Sequence, residues 1–174
     1  MRDKNLVAKM RKDKFIITRE LGKLAKWLRI LGYDSVYCRD KDIAGIVIRA
    51  LREKRTLLTR SAEFTKYKGI RVVVIEHDLA EQQLEQVTEE LGLVFTEGAI
   101  FHICVECNTP LEQIEKEKVK ERVPEYVYET QEEFKRCPKC DKIFWKGTHW
   151  DMATEWLRKH GIEEQGADGT QKNS

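Results

Sequence analysis

Between residues 14 and 96 the apolar positions come in short runs separated by helical periods. Residues 14–17 (KFII) read as a brief strand. Leu21, Leu24, Ala25, Leu28 and Leu31 then recur at spacings of three and four, which places them on one face of a helix. Thr18 suits the N-cap of that helix, Glu20 its first turn and Gly32 its C-terminal stop. Residues 35–38 (SVYC) predict a second strand, after which Asp40 or Asp42 caps a helix through Ile43, Ile46, Val47, Ala50 and Leu51. Residues 56–59 (TLLT) and 70–75 (IRVVVI) are short apolar runs of the kind buried on both faces of a parallel sheet. Asp78 is placed to cap a last helix over 79–91, which Gly92 ends.

Strands and helices alternating at this spacing imply crossover connections and a mostly parallel sheet flanked by helices, an α/β fold. In open sheets of this kind the ligand crevice lies at the carboxyl ends of the strands. The residues that follow each strand are therefore where chemistry is expected: 18–20, 39–42, 59–63 and 76–78. Beyond residue 98 the pattern changes. Residues 112–133 alternate charge signs, lack core-forming runs and sit between two cysteine pairs, as an insert held by those pairs would. Residues 150–160 predict a terminal helix with Met152, Trp156 and Leu157 facing inward. The expected organisation is a charged N-terminal extension (1–13), an α/β domain (14–98), a cysteine ribbon with a long charged insert and a terminal helix (99–160), and a disordered polar tail (161–174).

Composition adds three constraints. At 174 residues the chain can bury one ordinary core plus a small appendage, and 41% hydrophobic with 36% charged residues is a globular balance. Neither a bilayer-spanning run nor the apolar core of a signal peptide is present, so a reducing, cytoplasmic location is expected, with no membrane partner. The formal net charge of +2 conceals a division: residues 1–75 carry 20 Lys/Arg against 8 Asp/Glu, and residues 76–174 carry 12 against 22. A basic half points to a polyanionic partner, nucleic acid first among them.

Five cysteines in a reducing compartment are read as metal ligands before disulfides. Cys104-x2-Cys107 and Cys137-x2-Cys140 supply four thiolates on two turns, a set that suits Zn2+ in a closed, structural tetrahedron. A thioredoxin-type redox site needs a single such pair and fits poorly. Rubredoxin-like iron competes, since 29 residues separate the pairs and CPKC is shared. Asn108 and Asp141, however, stand where rubredoxin knuckles usually carry glycine. Cys38, in a predicted strand, reads as core filler.

Taken together, FIITRELGKLAKWLRILGYDSVYCRDKD, the LLTR of residues 57–60, the two cysteine knuckles and the FWKGTHW of residues 144–150 resemble the Mut-seven C-terminal ribonuclease family. The resemblance covers about residues 14–160. It implies a PIN-like domain with an appended zinc ribbon, acting on RNA. In such nucleases carboxylates at the strand ends hold Mg2+ or Mn2+ for in-line attack of water at phosphorus.

The chain departs from that pattern at two places. An acid is expected directly after the first strand and after LLTR, and the chain has Thr18 and Ser61. Glu20 and Glu63 lie two residues further on, a turn of about 200° on a helix, and are not obvious substitutes. Asp40 and Asp42 remain as candidate catalytic, ion-holding residues, with helix capping as the alternative for both. RNA contacts survive such a loss better. Arg19, Lys23 and Lys26 fall at i, i+4 and i+7, largely off the leucine face, and Arg39, Lys41 and Arg60 follow strands at the same edge. Lys146 and His149, with Trp145 and Trp150, add basic and aromatic groups near the ribbon. For the tryptophans, burial in the ribbon core is the favoured reading. His149 is readable as a structural residue, a base contact or a site acid. The leading expectation is a PIN-like RNA-processing protein with reduced or lost cleavage. Its alternatives are a non-catalytic zinc-ribbon RNA-binding or adaptor module and, third, an iron electron carrier.

Overall fold

A computed structural model describes residues 13–160. The expected extension and tail lie almost wholly outside the described residues. Four strands, β1 (Phe15–Ile17), β2 (Ser35–Tyr37), β3 (Thr56–Thr59) and β4 (Val72–Val74), form a parallel sheet in the order β2-β1-β3-β4. Helices α1 (Gly22–Ile30), α2 (Ile43–Glu53) and α3 (Ala80–Leu91) flank it, so the α/β expectation holds. Side chains alternate across each strand. Phe15, Ile17 and Leu58 therefore meet Leu24 and Leu28 of α1 and Leu84 and Val87 of α3 on one face. On the other face Ile16 and Leu57 meet Ile46, Val47 and Ala50 of α2, together with Phe64. Cys38 packs against this second cluster, and burial pushes its thiol pKa up, as a core filler requires.

The chain leaves β1 toward β2 on one side, then crosses back over β1 to form β3 on the other. Connections thus diverge between β1 and β3, which opens the crevice of a parallel sheet at the carboxyl ends of those two strands. Gly32 ends α1 with φ +93°, and a Cβ there would lie 2.6 Å from the Ala99 carbonyl oxygen, so both conformation and packing demand glycine.

The remaining strands, β5 (Glu112–Ile114), β6 (Phe134–Arg136) and β7 (Ile143–Trp145), form an antiparallel ribbon. A short helix, α4 (Glu125–Thr130), lies between β5 and β6. The charged stretch over 112–133 is more than an insert, because Val119 and Val127 bury completely against Phe134 to make a small core of their own. Its apolar residues are single and widely spaced, which is why no core-forming run is visible.

The terminal helix, α5 (Thr148–Lys159), returns to the main core. Trp156 meets Phe95 edge-on at 5.5 Å, and Ala153 and Leu157 bury in the same cluster. Met152, expected to face inward, is 49% exposed. Residues 153, 156 and 157 define the buried face, and 152 lies one position off it. Asp78 does not cap α3, whose N-cap is Leu79 with no side-chain bond. Asp78 instead pairs with Arg60 at 2.8 Å.

Candidate functional site

Three features can carry function: the crevice at the sheet's carboxyl edge, the four-cysteine cluster, and a groove between α1 and the ribbon.

At the crevice, Thr18 follows β1 and Thr59 ends β3, and both are buried, at 5% and 0% exposure. The Thr18 hydroxyl faces the Thr59 hydroxyl at 3.2 Å, and Thr59 Oγ1 accepts the Ser61 N–H at 3.1 Å. Thr18 makes no side-chain cap, so the capping expectation fails for it: the neighbouring strand offers its hydroxyl a buried partner. Ser61 does cap, accepting from the Glu63 N–H at 3.3 Å. Asp42 caps α2 through the Gly45 N–H at 3.1 Å, and both Asp40 and Asp42 are exposed. Among the described residues the one group of three or more ligating side chains brought together is the cysteine cluster, so the acids at this edge do not converge.

The basic residues at this rim are Arg19, Arg39, Lys41 and Arg60, all exposed. Arg60, after β3, is committed to Asp78 and to the His77 carbonyl after the neighbouring β4, whereas Arg19, Arg39 and Lys41 form no ion pair among the described residues. Gln83 and Gln86 of α3 fasten the segment after β4 by donating to the carbonyls of His77 and Val74 at 3.0 and 2.9 Å.

The sulfurs of Cys104, Cys107, Cys137 and Cys140 all lie within 4.8 Å of one another, and those of Cys104 and Cys140 are 3.7 Å apart. A tetrahedron of thiolates about 2.3 Å from a central ion has edges of about 3.8 Å, so the donor set fits a metal ion such as zinc. Each knuckle closes with a backbone N–H on the first sulfur, Cys107 on Cys104 at 3.4 Å and Cys140 on Cys137 at 3.5 Å. Burial pushes the Cys104 thiol up to about 12 against the backbone N–H groups of Cys107 and Glu106 that lower it, and a bound cation would favour its thiolate.

Asn108 and Asp141, in place of glycine, adopt φ of +57° and +61°. Their side chains show what is gained. Asn108 accepts the Ser35 N–H at 2.8 Å and donates to Asp34 at 2.6 Å, tying the first knuckle to the start of β2. Asp141 pairs with Arg122 and Arg136, both at 2.8 Å, within the ribbon. Arg29 of α1 completes the docking by donating to the carbonyls of Ser35, Val105 and Glu106 at 2.8, 2.7 and 3.1 Å. Burial opposes the charge on Asp34, but hydrogen bonds from Arg55 and Asn108 outweigh it and hold its carboxyl below the usual range. Asn108→Gly should keep the bound metal yet destabilise the fold by about 1–2 kcal/mol, because two partly buried hydrogen bonds are lost while left-handed strain is relieved. Denaturant unfolding at constant metal content measures it.

A comparison with known protein families matches the Mut7-C RNAse domain over residues 13–157. The chain belongs to that family. No curated protein and no solved structure gives a significant match. Membership makes RNA the substrate or partner class to consider for this Mut7-C domain, and no helix among the described residues is long and apolar enough to cross a membrane.

The basic residues singled out in the sequence divide between the rim and the ribbon side. Lys23, Lys26 and His149 line the groove between α1 and the ribbon. Lys146 lines a separate, smaller depression, paired with Glu133 at 3.2 Å and lying 4.9 Å from the Trp150 ring centroid. In the FWKGTHW segment, a Cβ on Gly147 would fall 2.9 Å from the Trp145 indole nitrogen, so glycine lets that ring fold back beside the start of α5. Sequence reasoning missed Arg29, which docks the first knuckle, and Glu106, Tyr126 and Lys142, which line the groove. Thr59 lay within the 59–63 stretch where chemistry was expected, but its pairing with Thr18 was not foreseen.

Proposed function

We propose that this chain is an RNA-binding protein of ribonuclease descent whose PIN-like crevice has reduced or lost its capacity to cleave. The observation that carries the reading is the buried Thr18–Thr59 hydroxyl pair, which occupies the position after β1 where the family pattern calls for a carboxylate. Neutral hydroxyls that satisfy each other provide little attraction for Mg2+ or Mn2+, which dehydrate reluctantly and depend on anionic oxygens. Asp40 and Asp42 are the remaining acids of the site. Asp42 is engaged in a helix cap. A divalent ion bound there would activate water and stabilise charge at phosphorus. Arg19, Arg39 and Lys41 would hold the phosphate backbone along the rim. The four cysteines would hold a structural Zn2+ that shapes the ribbon, with no open position for catalysis.

Labelled single-stranded RNA tests this in two measurements. Binding should weaken steeply with salt, with a log–log slope of about −2 to −3 if three or four phosphates are neutralised. It should not require a divalent ion. Incubation with Mn2+ should give little cleavage. Robust manganese-stimulated cutting by the natural chain would overturn the loss of catalysis, and a flat salt response would overturn RNA binding by the rim.

A further inference from the structure

A groove of about 660 Å3 lies between α1 and the ribbon. Its floor and walls come from parts of the chain far apart in sequence: Trp27 on α1, Tyr126 on α4, and Phe144 and Trp145 on β7. Lys23 and Lys26 of α1, Lys142 before β7, and His149 at the start of α5 line it as well. Among the described residues Glu106 is the one acidic residue lining it, and lies between two lysines, 3.4 Å from Lys26 and 3.8 Å from Lys142. The groove therefore combines aromatic surface with a net positive lining.

We infer that this groove is a binding site for unpaired bases of single-stranded RNA, with Tyr126 and Trp145 as stacking surfaces and Lys23, Lys26 and Lys142 as phosphate contacts. The inference rests on the RNA-binding reading of the crevice and adds to it a second place on the molecule and a preference for single strands.

Three observations select this occupant. First, the charge is of the sign a phosphodiester backbone requires, and it is spread along the lining. Second, the volume is in the range of about 300–1,000 Å3 that accommodates a compact ligand, enough for one or two nucleotides and far too little for a duplex. Flat aromatic faces beside positive charge are how sequence-tolerant single-strand sites are built. Tyr126 is 67% exposed, and a large ring kept in water beside a groove gains apolar contact only when something covers it. Third, the groove continues from the rim. The short 3-10 turn that begins at Arg19 leads directly into α1, whose Lys23 and Lys26 line the groove, so basic residues run along the chain from the carboxyl end of β1 to the groove. A strand whose phosphates sit at Arg19 thus has a charged path leading its next bases between α1 and the ribbon. The first turn of α5 also has no side-chain cap, leaving its N-terminal dipole end beside the groove, where it adds to the positive potential.

The test compares three forms of the full, metal-loaded chain: natural, groove variant (Tyr126→Ala with Lys142→Gln) and rim variant (Arg39→Gln with Lys41→Gln). All four substituted side chains are exposed, so folding is retained, and circular dichroism checks it. The probes are a labelled ten-nucleotide oligouridine and a duplex RNA of the same length. The groove variant should bind the single strand about tenfold more weakly, within the range expected for losing one stacked base and one phosphate contact, and bind the duplex unchanged. The rim variant should weaken both. If the groove variant binds the single strand as the natural chain does while the rim variant does not, the groove inference is wrong and the crevice reading stands. If neither RNA binds the natural chain, both fail. If the natural chain self-associates by sedimentation and the groove variant is monomeric, the groove is a contact between copies and the inference is overturned.

Discussion

Cys104→Ser is expected to release the metal and unfold the ribbon while leaving the parallel sheet folded. The reason is the size of what holds the ribbon without its metal. Each of its strands is three residues long, and its private core is Val119, Val127 and Phe134 with a few half-buried neighbours. Three short strands with so little apolar burial are marginal in water. A structural tetrathiolate metal site would supply the difference, since apparent binding free energies of about 10–16 kcal/mol in small zinc domains are folding free energy. Cys104 is fully buried and 3.7 Å from Cys140, so serine at that position removes a thiolate and leaves three others without a closed shell. The knuckle would then withdraw the Val105 and Glu106 carbonyls from Arg29, loosening the docking as well. The sheet has its own two cores, and α5 is anchored in one of them through Ala153, Trp156 and Leu157. Proteolysis should therefore cut within residues 112–133 and spare 14–98, with metal content falling below stoichiometry. A ribbon that resists protease after its metal has gone would contradict this. The same result is expected from a strong chelator, and the protein should be colourless before and after, as zinc demands and iron does not.

The parallel sheet was readable because its strands are buried on both faces and its helices are amphipathic, so periodicity and local stop signals such as Gly32 and Gly92 carried the information. The cysteine cluster was readable because pair spacing alone defines the knuckles. What could not be read depended on partners remote in the chain. Thr18 has the local credentials of a cap, yet its hydroxyl turns to Thr59, 41 residues away, because the two strand ends are adjacent in the sheet. Asp78 likewise had a helix to cap and pairs instead with Arg60. The oddity of Asn108 and Asp141 was visible as a departure from glycine, but its meaning was not, since the compensating bonds to Ser35, Asp34, Arg122 and Arg136 are tertiary. The groove as a unit could not be read, being assembled from four separate stretches, although Lys23, Lys26, Trp145 and His149 had each been singled out on their own.

Thr18→Asp combined with Ser61→Asp should restore manganese-dependent cleavage, by about a hundredfold or more over the natural chain, and should make the fold's stability depend on manganese. The strand order gives the first step. In the sheet β1 stands between β2 and β3, so residue 18 lies between the segment bearing Asp40 and Asp42 on one side and residue 61 on the other. An acid there is the one that would join the flanking acids into a single anionic site. The second step is electrostatic. Thr18 is 5% exposed, and a carboxylate in its place would be buried with the Thr59 hydroxyl as a donor. A buried, half-satisfied charge costs several kcal/mol, so the variant without divalent ion should melt below the natural chain. Manganese that binds the folded state offsets that loss, by about 2.7 kcal/mol at a hundred times its dissociation constant. Ser61→Asp adds the other charge at little structural cost, since aspartate caps the turn at 62–66 as well as serine does. The chemical gain follows because an ion held by three or four carboxylates can polarise the phosphoryl group and activate water, each effect worth several kcal/mol in the transition state. Two readings decide the matter together: a melting temperature that rises with Mn2+ in the double variant but not in the natural chain, and the appearance of RNA fragments under the same conditions. A melting temperature indifferent to Mn2+ in both chains would show that the crevice no longer has the shape of an ion site, and that the loss of two carboxylates is not what separates this chain from a working nuclease.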